Sequence, residues 1–156
     1  MNLNKKIYIL SGTPGSGKTT WVRKQIAEKG GVHCSRDEVR FAMLKDGEDY
    51  FSHENEVLKE WYKQINEAIA DPDSGDIYVD ASHLGDKGRW NSFIELKGIK
   101  REDVEVVIFD VPIEVCIQRN ANRTGRAFVP EMVIRRMGRT LQKDSKIFNY
   151  KVVKKE

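Results

Sequence analysis

The sequence predicts an α/β fold in which helices pack on both sides of a central, mostly parallel sheet of four or five strands. Short apolar runs recur along the 156-residue chain, and amphipathic helical patterns separate them. This alternation is typical of βαβ units around a parallel sheet. The chain has no internal repeat and no linker long enough to divide it, so residues 1–156 are expected to form one domain.

Each element follows from a local pattern. Strands are predicted from apolar runs at residues 7–10, 32–34, 77–80 and 104–110, with a candidate edge strand at 147–153. Helices are predicted over residues 19–29, 52–70, 87–96 and 130–142, and from Ser35 and Pro112 onward. Ser35 and Glu38 have the spacing of a capping box, which marks a helix start.

Composition excludes several classes of protein. Charged residues make up 33% of the chain and hydrophobic residues 39%, as in a soluble globular protein. No apolar run approaches the ~18–20 residues of a membrane span, and residues 1–6 lack the apolar stretch of a secretory signal. Cys34 and Cys116 are far apart and are expected to be buried and reduced, which suits a cytoplasmic location. No cluster of histidine and cysteine indicates zinc.

The strongest functional motif lies between the first strand and the first helix. It matches GxxxxGK[ST] with Gly12, Thr13, Pro14, Gly15, Ser16, Gly17, Lys18 and Thr19. A Gly-rich backbone in this context turns N–H groups toward phosphate, and the helix N-terminus adds its positive end. Lys18 is expected to reach the β- and γ-phosphates of ATP or another NTP. Thr19 is expected to ligate Mg²⁺, and Thr20 is a further nucleotide-binding candidate.

Further candidates follow other strands, where ligands bind in open α/β sheets. Asp37 lies in the first turn of the helix after the second strand, and Arg40 lies one turn on, on the same face. Asp37 is either a favourable first-turn acid or the base that accepts a hydroxyl proton. Asp80 ends an apolar strand as a Walker B aspartate does, where it would help to hold Mg²⁺, or it caps the following turn.

A basic segment lies in the C-terminal half. Residues 1–84 carry 11 Lys+Arg against 14 Asp+Glu, whereas residues 85–156 carry 16 against 10. Arg119 and Arg123 are four residues apart in a candidate lid at about 119–130, which also contains Arg126. Either they stabilise a helix C-terminus, or they clamp phosphates during phosphoryl transfer. Arg135, Arg136 and Arg139 are expected to be surface charge.

Together these motifs resemble the 5′-kinase domain of phage-type polynucleotide kinase, in the P-loop kinase superfamily, over roughly residues 6–141. The resemblance rests on the Gly-rich loop, on Arg36-Asp37-Glu38 with Arg40, on Asp80-Ala81-Ser82, on Phe109-Asp110-Val111-Pro112, on Arg119-Asn120 with Arg123, and on Val129-Pro130. It implies a three-layer P-loop kinase fold with a helical lid. It also implies transfer of the ATP γ-phosphoryl group to a single-stranded 5′-OH end of DNA or RNA, as in nucleic-acid repair.

The resemblance also implies roles for individual residues. Asp37 would be the general base, Arg40 and Asp80 would contact the acceptor, and Arg123 would stabilise the transition state. Arg119 would assist at the nucleotide, as would Arg126 of the lid. Two departures are visible: Thr19 stands where the family has Ser, and Ala81-Ser82 stands where it has Thr-Asn. Because no DxDxT motif is present, no 3′-phosphatase activity is expected.

Two other functions stay open from the sequence. The same scaffold phosphorylates small metabolites, modified nucleobases, aminoacyl-tRNA and nucleotide sugars. Arg40 and the positive C-terminal half favour a nucleic acid over these acceptors. The other possibility is an ATP-binding switch or ATPase that signals through its lid, and Asp37 and Arg40 argue against it because a simple switch has no need of them.

Overall fold

The computed structural model of the protein describes residues 5–123 and 129–154. Its strands are β1 (Ile7–Ser11), β2 (Val32–Ser35), β3 (Ile77–Asp80), β4 (Val104–Asp110) and β5 (Asn149–Lys154). They form one sheet in the order β2-β3-β1-β4-β5, and each neighbouring pair is parallel. The predicted α/β fold is therefore confirmed, and the candidate edge strand is present as β5.

The helices occupy the predicted intervals. They are α1 (Lys18–Lys29), α2 (Arg36–Met43), α3 (Glu54–Ala70), α4 (Asp86–Phe93), α5 (Ile113–Ala121) and α6 (Glu131–Thr140). The Ser35 hydroxyl accepts a hydrogen bond from the Glu38 N–H at 3.2 Å, so α2 begins where the capping pattern predicts. No helix in the described ranges is long and apolar enough to cross a membrane.

Alternate residues of the three central strands, β1, β3 and β4, face two separate cores, which gives the fold three layers. Ile9 and its neighbours on one face pack against α3 through the buried Val57 and Trp61. Leu10, one residue on, faces the opposite side and packs against Val22 of α1. Cys34 and Cys116 are both buried and free, as expected.

The topology fixes where a ligand site forms. Because β1 lies between β3 and β4 and all three are parallel, their carboxyl ends meet at one edge of the sheet. Leu10 pairs with Asp80, and Asp80 pairs in turn with Ser35 on β2. The Gly-rich loop after β1 therefore begins beside the strand end that carries Asp80.

Candidate active site

The Gly-rich loop turns sharply at two glycines with left-handed backbone. Gly15 has φ 82° and Gly17 has φ 94°, conformations that favour glycine over residues with a Cβ. A Cβ at Gly15 would collide with the carbonyl oxygen of Cys116 on α5. The Thr13 hydroxyl also donates to Cys116 Sγ at 3.4 Å. Helix α5 thus forms one wall of the loop and fixes its shape.

The start of α1 offers an uncompensated positive end. Gly17 caps this helix without a side-chain hydrogen bond, and the first turn contains no acidic residue. The first N–H groups of a helix have no partner within it, so they are free to bind an anion. Ser16 Oγ, on the same loop, is buried and has no hydrogen-bond partner among the described residues. The loop therefore fits a nucleotide phosphate.

Lys18 folds back across the loop it follows. Its Nζ donates to the carbonyl of Gly12 at 2.9 Å and to that of Ala81 at 3.4 Å. The Gly12 N–H donates in turn to the Ser82 carbonyl at 2.9 Å. The residues just after β3 thus lie directly against the phosphate loop.

Four charged side chains from three parts of the chain act on the Lys18 ammonium. Burial lowers the pKa of Lys18, and the charges of Arg36 and Arg123 lower it further, whereas Asp80 and Asp37 raise it. Asp80 is the nearest of them, with Oδ1 3.8 Å from Nζ. The structure thus brings Lys18 and Asp80 together, and the charges of Asp37 and Arg123 act on the same ammonium.

Asp80 has a partner that the sequence did not reveal. His33 Nε2, on β2, lies 2.7 Å from Asp80 Oδ2. Burial alone would raise the pKa of Asp80, but the hydrogen bond from His33 and the charge of Lys18 outweigh it and hold that pKa below its ordinary value. Asp80 is therefore an ionised carboxylate with one oxygen toward His33 and the other toward Lys18.

Asp37 lies at the start of α2 with its side chain 58% exposed. Tyr50 donates its hydroxyl hydrogen to Asp37 Oδ1 at 2.7 Å, and Arg40 Nη1 donates to the same oxygen. Burial and the Asp37 charge raise the pKa of Tyr50 well above its ordinary value, so its hydroxyl remains a donor. The described residues thus hold Oδ1 in place from two sides, while the carboxylate stays accessible.

Arg40 is buried, which its predicted role in acceptor binding did not anticipate. The residue is 2% exposed. Its Nη2 donates to both oxygens of Glu54 on α3, at 2.8 and 3.0 Å, and its Nε donates to Oε2 at 3.2 Å. The i,i+3 contact with Asp37 confirms that the two side chains share a face. Contact between Arg40 and an acceptor phosphate remains a prediction.

The predicted lid lies partly outside the described residues, and Arg126 is among those not described. Arg119, on α5, donates from Nη1 to the carbonyl of Gly15 at 3.2 Å, so it contacts the phosphate loop. Arg123 follows the end of α5 at Ala121, so the two arginines do not share a regular helical turn. The Asn120 amide joins the two sides of the undescribed segment, because its Oδ1 accepts from the Val129 N–H at 2.9 Å.

Buried polar groups form hydrogen bonds with the end of β1. Arg89 of α4 is fully buried and donates to Ser11 Oγ at 2.8 Å and to the carbonyls of Gln142 and Asp144, both at 2.6 Å. Its neighbour Asp86 accepts from the Lys146 N–H at 2.8 Å. The segment between α6 and β5 is thus tied to the strand that precedes the phosphate loop.

The remaining predicted residues lie where the motif places them. Pro14 is partly exposed at the turn of the loop, and Thr19 and Thr20 are exposed in the first turn of α1. Thr19 follows Lys18 directly, and Asp80 is on the facing strand end, so these two residues stay the predicted Mg²⁺ ligands. Residues 5–123 and 129–154 contain no group of three or more His, Cys, Asp or Glu that could hold a metal ion.

Comparisons with known proteins extend these observations. Residues 7–143 match the family model described as an AAA domain. A chain of the Pnkp1/Rnl/Hen1 RNA repair complex superposes with a TM-score of 0.71 at 23% identity, over 90% of this chain and 45% of that one. This chain therefore spans less than half of that protein.

Two sugar-kinase structures also superpose over most of their length. A sugar kinase from Janibacter sp. HTCC2649 gives a TM-score of 0.63 at 22% identity, over 96% of this chain and 85% of that one. A gluconokinase from Sinorhizobium meliloti 1021 gives 0.61 at 18% identity, over 99% and 84%. At these identities the likeness shows a shared fold, which is that of P-loop kinases.

Proposed function

We propose that this chain, which belongs to the AAA-domain family that its sequence matches, is an ATP-dependent polynucleotide 5′-hydroxyl kinase. The observation that carries this proposal is the position of Lys18 at the phosphate loop, 3.8 Å from Asp80, where the charges of Asp37 and Arg123 also act on its ammonium. A phosphate loop alone explains nucleotide binding. A carboxylate from the next strand end and an arginine from beyond α5 are what phosphoryl transfer to a hydroxyl needs in addition.

On the donor side, the loop and the first turn of α1 hold the phosphates of ATP through backbone N–H groups. Lys18 exchanges its contact with the Gly12 carbonyl for the β- and γ-phosphates. Thr19 and Asp80 would hold Mg²⁺, which when bound neutralises charge on the phosphates. His33 keeps one Asp80 oxygen occupied and so orients the other.

On the acceptor side, Asp37 takes the proton of the attacking hydroxyl. Tyr50 and Arg40 hold Oδ1, which leaves Oδ2 to face the acceptor. As the proton moves to Asp37, the acceptor oxygen bonds to the γ-phosphorus and the bond from that phosphorus to the bridging oxygen of ADP breaks. Arg123 stabilises the charge that spreads over the γ-phosphoryl oxygens, and Arg119 holds the loop from the other side.

A polynucleotide acceptor is supported by charge and by resemblance. Residues 85–156 carry 16 Lys+Arg against 10 Asp+Glu, which suits a polyanionic ligand. A second candidate function is phosphorylation of a small hydroxylated molecule such as a sugar acid. The burial of Arg40 against Glu54 favours this second candidate, because it occupies the side chain expected to contact an acceptor phosphate.

Transfer of label from γ-³²P-ATP tests the proposal. The acceptors are a 5′-OH oligonucleotide, the same oligonucleotide with a 5′-phosphate, gluconate, and no acceptor. Label on the 5′-OH oligonucleotide alone supports the proposal. Label on gluconate supports the second candidate, and free phosphate at the same rate in all four reactions indicates an ATPase.

A further inference from the structure

An exposed aromatic pair lies on the connection between α2 and α3. Phe51 is 64% exposed and Tyr50 is 37% exposed. Their rings meet edge to face with centroids 4.8 Å apart, and Phe41 of α2 lies beside Tyr50 at 6.4 Å. Contiguous exposed apolar surface marks interaction sites, so an exposed pair of aromatic rings next to the candidate active site is a candidate ligand contact.

One ring of this pair, Tyr50, is hydrogen-bonded to Asp37, the proposed base. The Tyr50 hydroxyl accepts from Arg40 Nη1 at 2.6 Å and donates to Asp37 Oδ1 at 2.7 Å. The Arg40 guanidinium also lies 4.2 Å from the Tyr50 ring centroid and 5.9 Å from that of Phe51. Since Glu54 holds Arg40 in the protein interior, the Tyr50 ring is held beside the Asp37 carboxylate, and Phe51 packs against that ring.

We propose that Phe51, supported by Tyr50, is a stacking platform for the nucleobase of the acceptor's 5′-terminal nucleotide. This inference deepens the proposed function and rests on it. When a 5′-hydroxyl lies at Asp37, the base of the same nucleotide is one ribose away, and only the side chain of Tyr50 separates Phe51 from Asp37. Aromatic side chains bind bases by stacking on a π-face that every base has, so such a platform tolerates any sequence.

The charge around the platform favours a base over a phosphate. The connecting loop carries Asp46, Glu48 and Asp49 against a single Lys45. A negative loop repels the phosphates of a strand but does not repel an uncharged base. The strand downstream of its first nucleotide therefore runs away from this loop, toward the basic C-terminal half.

Binding of two matched oligonucleotides tests the platform. Both carry a free 5′-OH and a 3′ fluorophore, and they differ only in whether the 5′-terminal residue has adenine or is abasic. Loss of one stacked base weakens binding by about 5- to 150-fold. We expect Phe51→Ala to weaken binding of the adenine oligonucleotide by that factor and to leave the abasic one unchanged, while Phe51→Trp restores the preference.

The control is Tyr150→Ala, which removes another exposed aromatic side chain, 44% exposed on β5. Thermal melting and ATP affinity of each variant show whether the fold and the donor site are intact. An equal loss for both oligonucleotides, or no loss for either, overturns the platform. A change in oligomeric state with unchanged oligonucleotide binding assigns the rings to a protein contact and also overturns it.

Label transfer, measured on the same samples, separates this inference from the proposed function. A protein that prefers the adenine oligonucleotide through Phe51 but transfers no phosphate to it supports the platform and overturns the kinase activity. A protein that transfers phosphate equally well with Phe51→Ala supports the kinase activity and overturns the platform. A wild-type protein that binds neither oligonucleotide overturns both.

Discussion

The candidate site has two halves that differ in construction. The loop half is the phosphate loop at residues 12–19 with the strand ends beside it, and the α2 half is Asp37 with the loop that follows α2. The loop half uses backbone: left-handed glycines, helix N–H groups and carbonyls, packed between β1, β3 and α5. The α2 half uses side chains on one short helix and its following loop, and both Asp37 and Phe51 are largely exposed. The loop half is therefore defined by its backbone conformation, and the α2 half by the identity of its side chains.

Under the proposed function, this difference reflects the two ligands, the nucleotide donor and the hydroxyl acceptor. A nucleotide presents the same phosphates in every reaction, so a single backbone arrangement binds them wherever it occurs. Acceptors differ in size, charge and hydrogen bonding, so the residues that bind them differ as well. The motif at the loop therefore predicts a nucleotide phosphate as the donor ligand, whereas the acceptor depends on residues that belong to no general motif.

The largest effect is expected for Arg123→Ala, because the charge of this side chain acts on Lys18 at the phosphate loop. An arginine that stabilises the charge of a moving γ-phosphoryl group contributes about 10³–10⁵ in rate. We expect label transfer to fall by a factor in that range with the KM for ATP little changed. Arg136→Ala on α6 is the matched control and should retain activity. Equal losses in the two variants would show that the basic segment acts only through its overall charge.

A slightly smaller effect is expected for Asp37→Asn, on the α2 half. Loss of a general base costs about 10²–10⁴ in rate, and an amide cannot take the proton. Affinity for ATP should stay the same, because the proposed function assigns Asp37 to the acceptor. Glu38→Gln is the control, since Glu38 is also an exposed acid in the first turn of α2. Unchanged turnover of Asp37→Asn would remove this residue from the mechanism.

The positions of the strands and helices were predicted well from the sequence. Strand and helix positions follow from apolar periodicity, which is a local property of the chain, and β5 appeared at the candidate edge position. The phosphate loop and Ser35 at the start of α2 are also local patterns. These features were predictable because the residues that determine them are neighbours in the sequence.

Side-chain partnerships across elements could not be predicted in the same way. His33 and Asp80 are 47 residues apart and meet because β2 and β3 are neighbours in the sheet. Arg40 and Glu54 meet because α2 packs on α3, and that packing buries the arginine. Neither pair has a spacing that a sequence motif records, since each depends on strand order or helix packing.

A smaller effect on phosphoryl transfer is expected when the His33–Asp80 pair of the loop half is broken. Partners that orient a metal-binding carboxylate typically contribute 10- to 100-fold in metal affinity or activity. We expect His33→Ala to raise the Mg²⁺ concentration needed for half-maximal transfer by about that factor. The rate at saturating Mg²⁺ should change far less, because Asp80 itself is retained.

His53→Ala is the control for that variant. His53 also pairs with a carboxylate, Glu48, at 2.8 Å, but on the loop before α3. Its loss should leave the Mg²⁺ dependence of transfer unaltered. If His33→Ala lowers transfer without shifting the Mg²⁺ dependence, then His33 supports the strand ends and does not orient Asp80 for a metal ion.

The smallest effect on activity is expected for Asp86→Asn. Asp86 lies beside Arg89, which is hydrogen-bonded to the end of β1. This carboxylate accepts from Ser145 Oγ at 2.7 Å, from the Lys146 N–H at 2.8 Å and from Arg89 Nη1 at 3.1 Å. A hydrogen bond to a charged group contributes about 1.5–3 kcal/mol. Asp86→Asn should therefore lower the free energy of unfolding at pH 7 by an amount of that order, while the folded variant keeps its transfer rate.

The stability difference between the wild type and Asp86→Asn is expected to depend on pH. Burial acts to raise the pKa of Asp86, but the hydrogen bonds from Lys146, Ser145 and Arg89 hold it below its ordinary value. A lowered pKa stabilises the fold above the unfolded-state pKa of about 3.9, and that stabilisation is lost as the pH falls through the folded-state pKa. Chemical denaturation should therefore show a gap between the wild type and Asp86→Asn that narrows below about pH 4. Asp73→Asn, at an exposed acid, should show no gap. A gap independent of pH would mean that the geometry of the Asn amide, and not the lost charge, destabilises the variant.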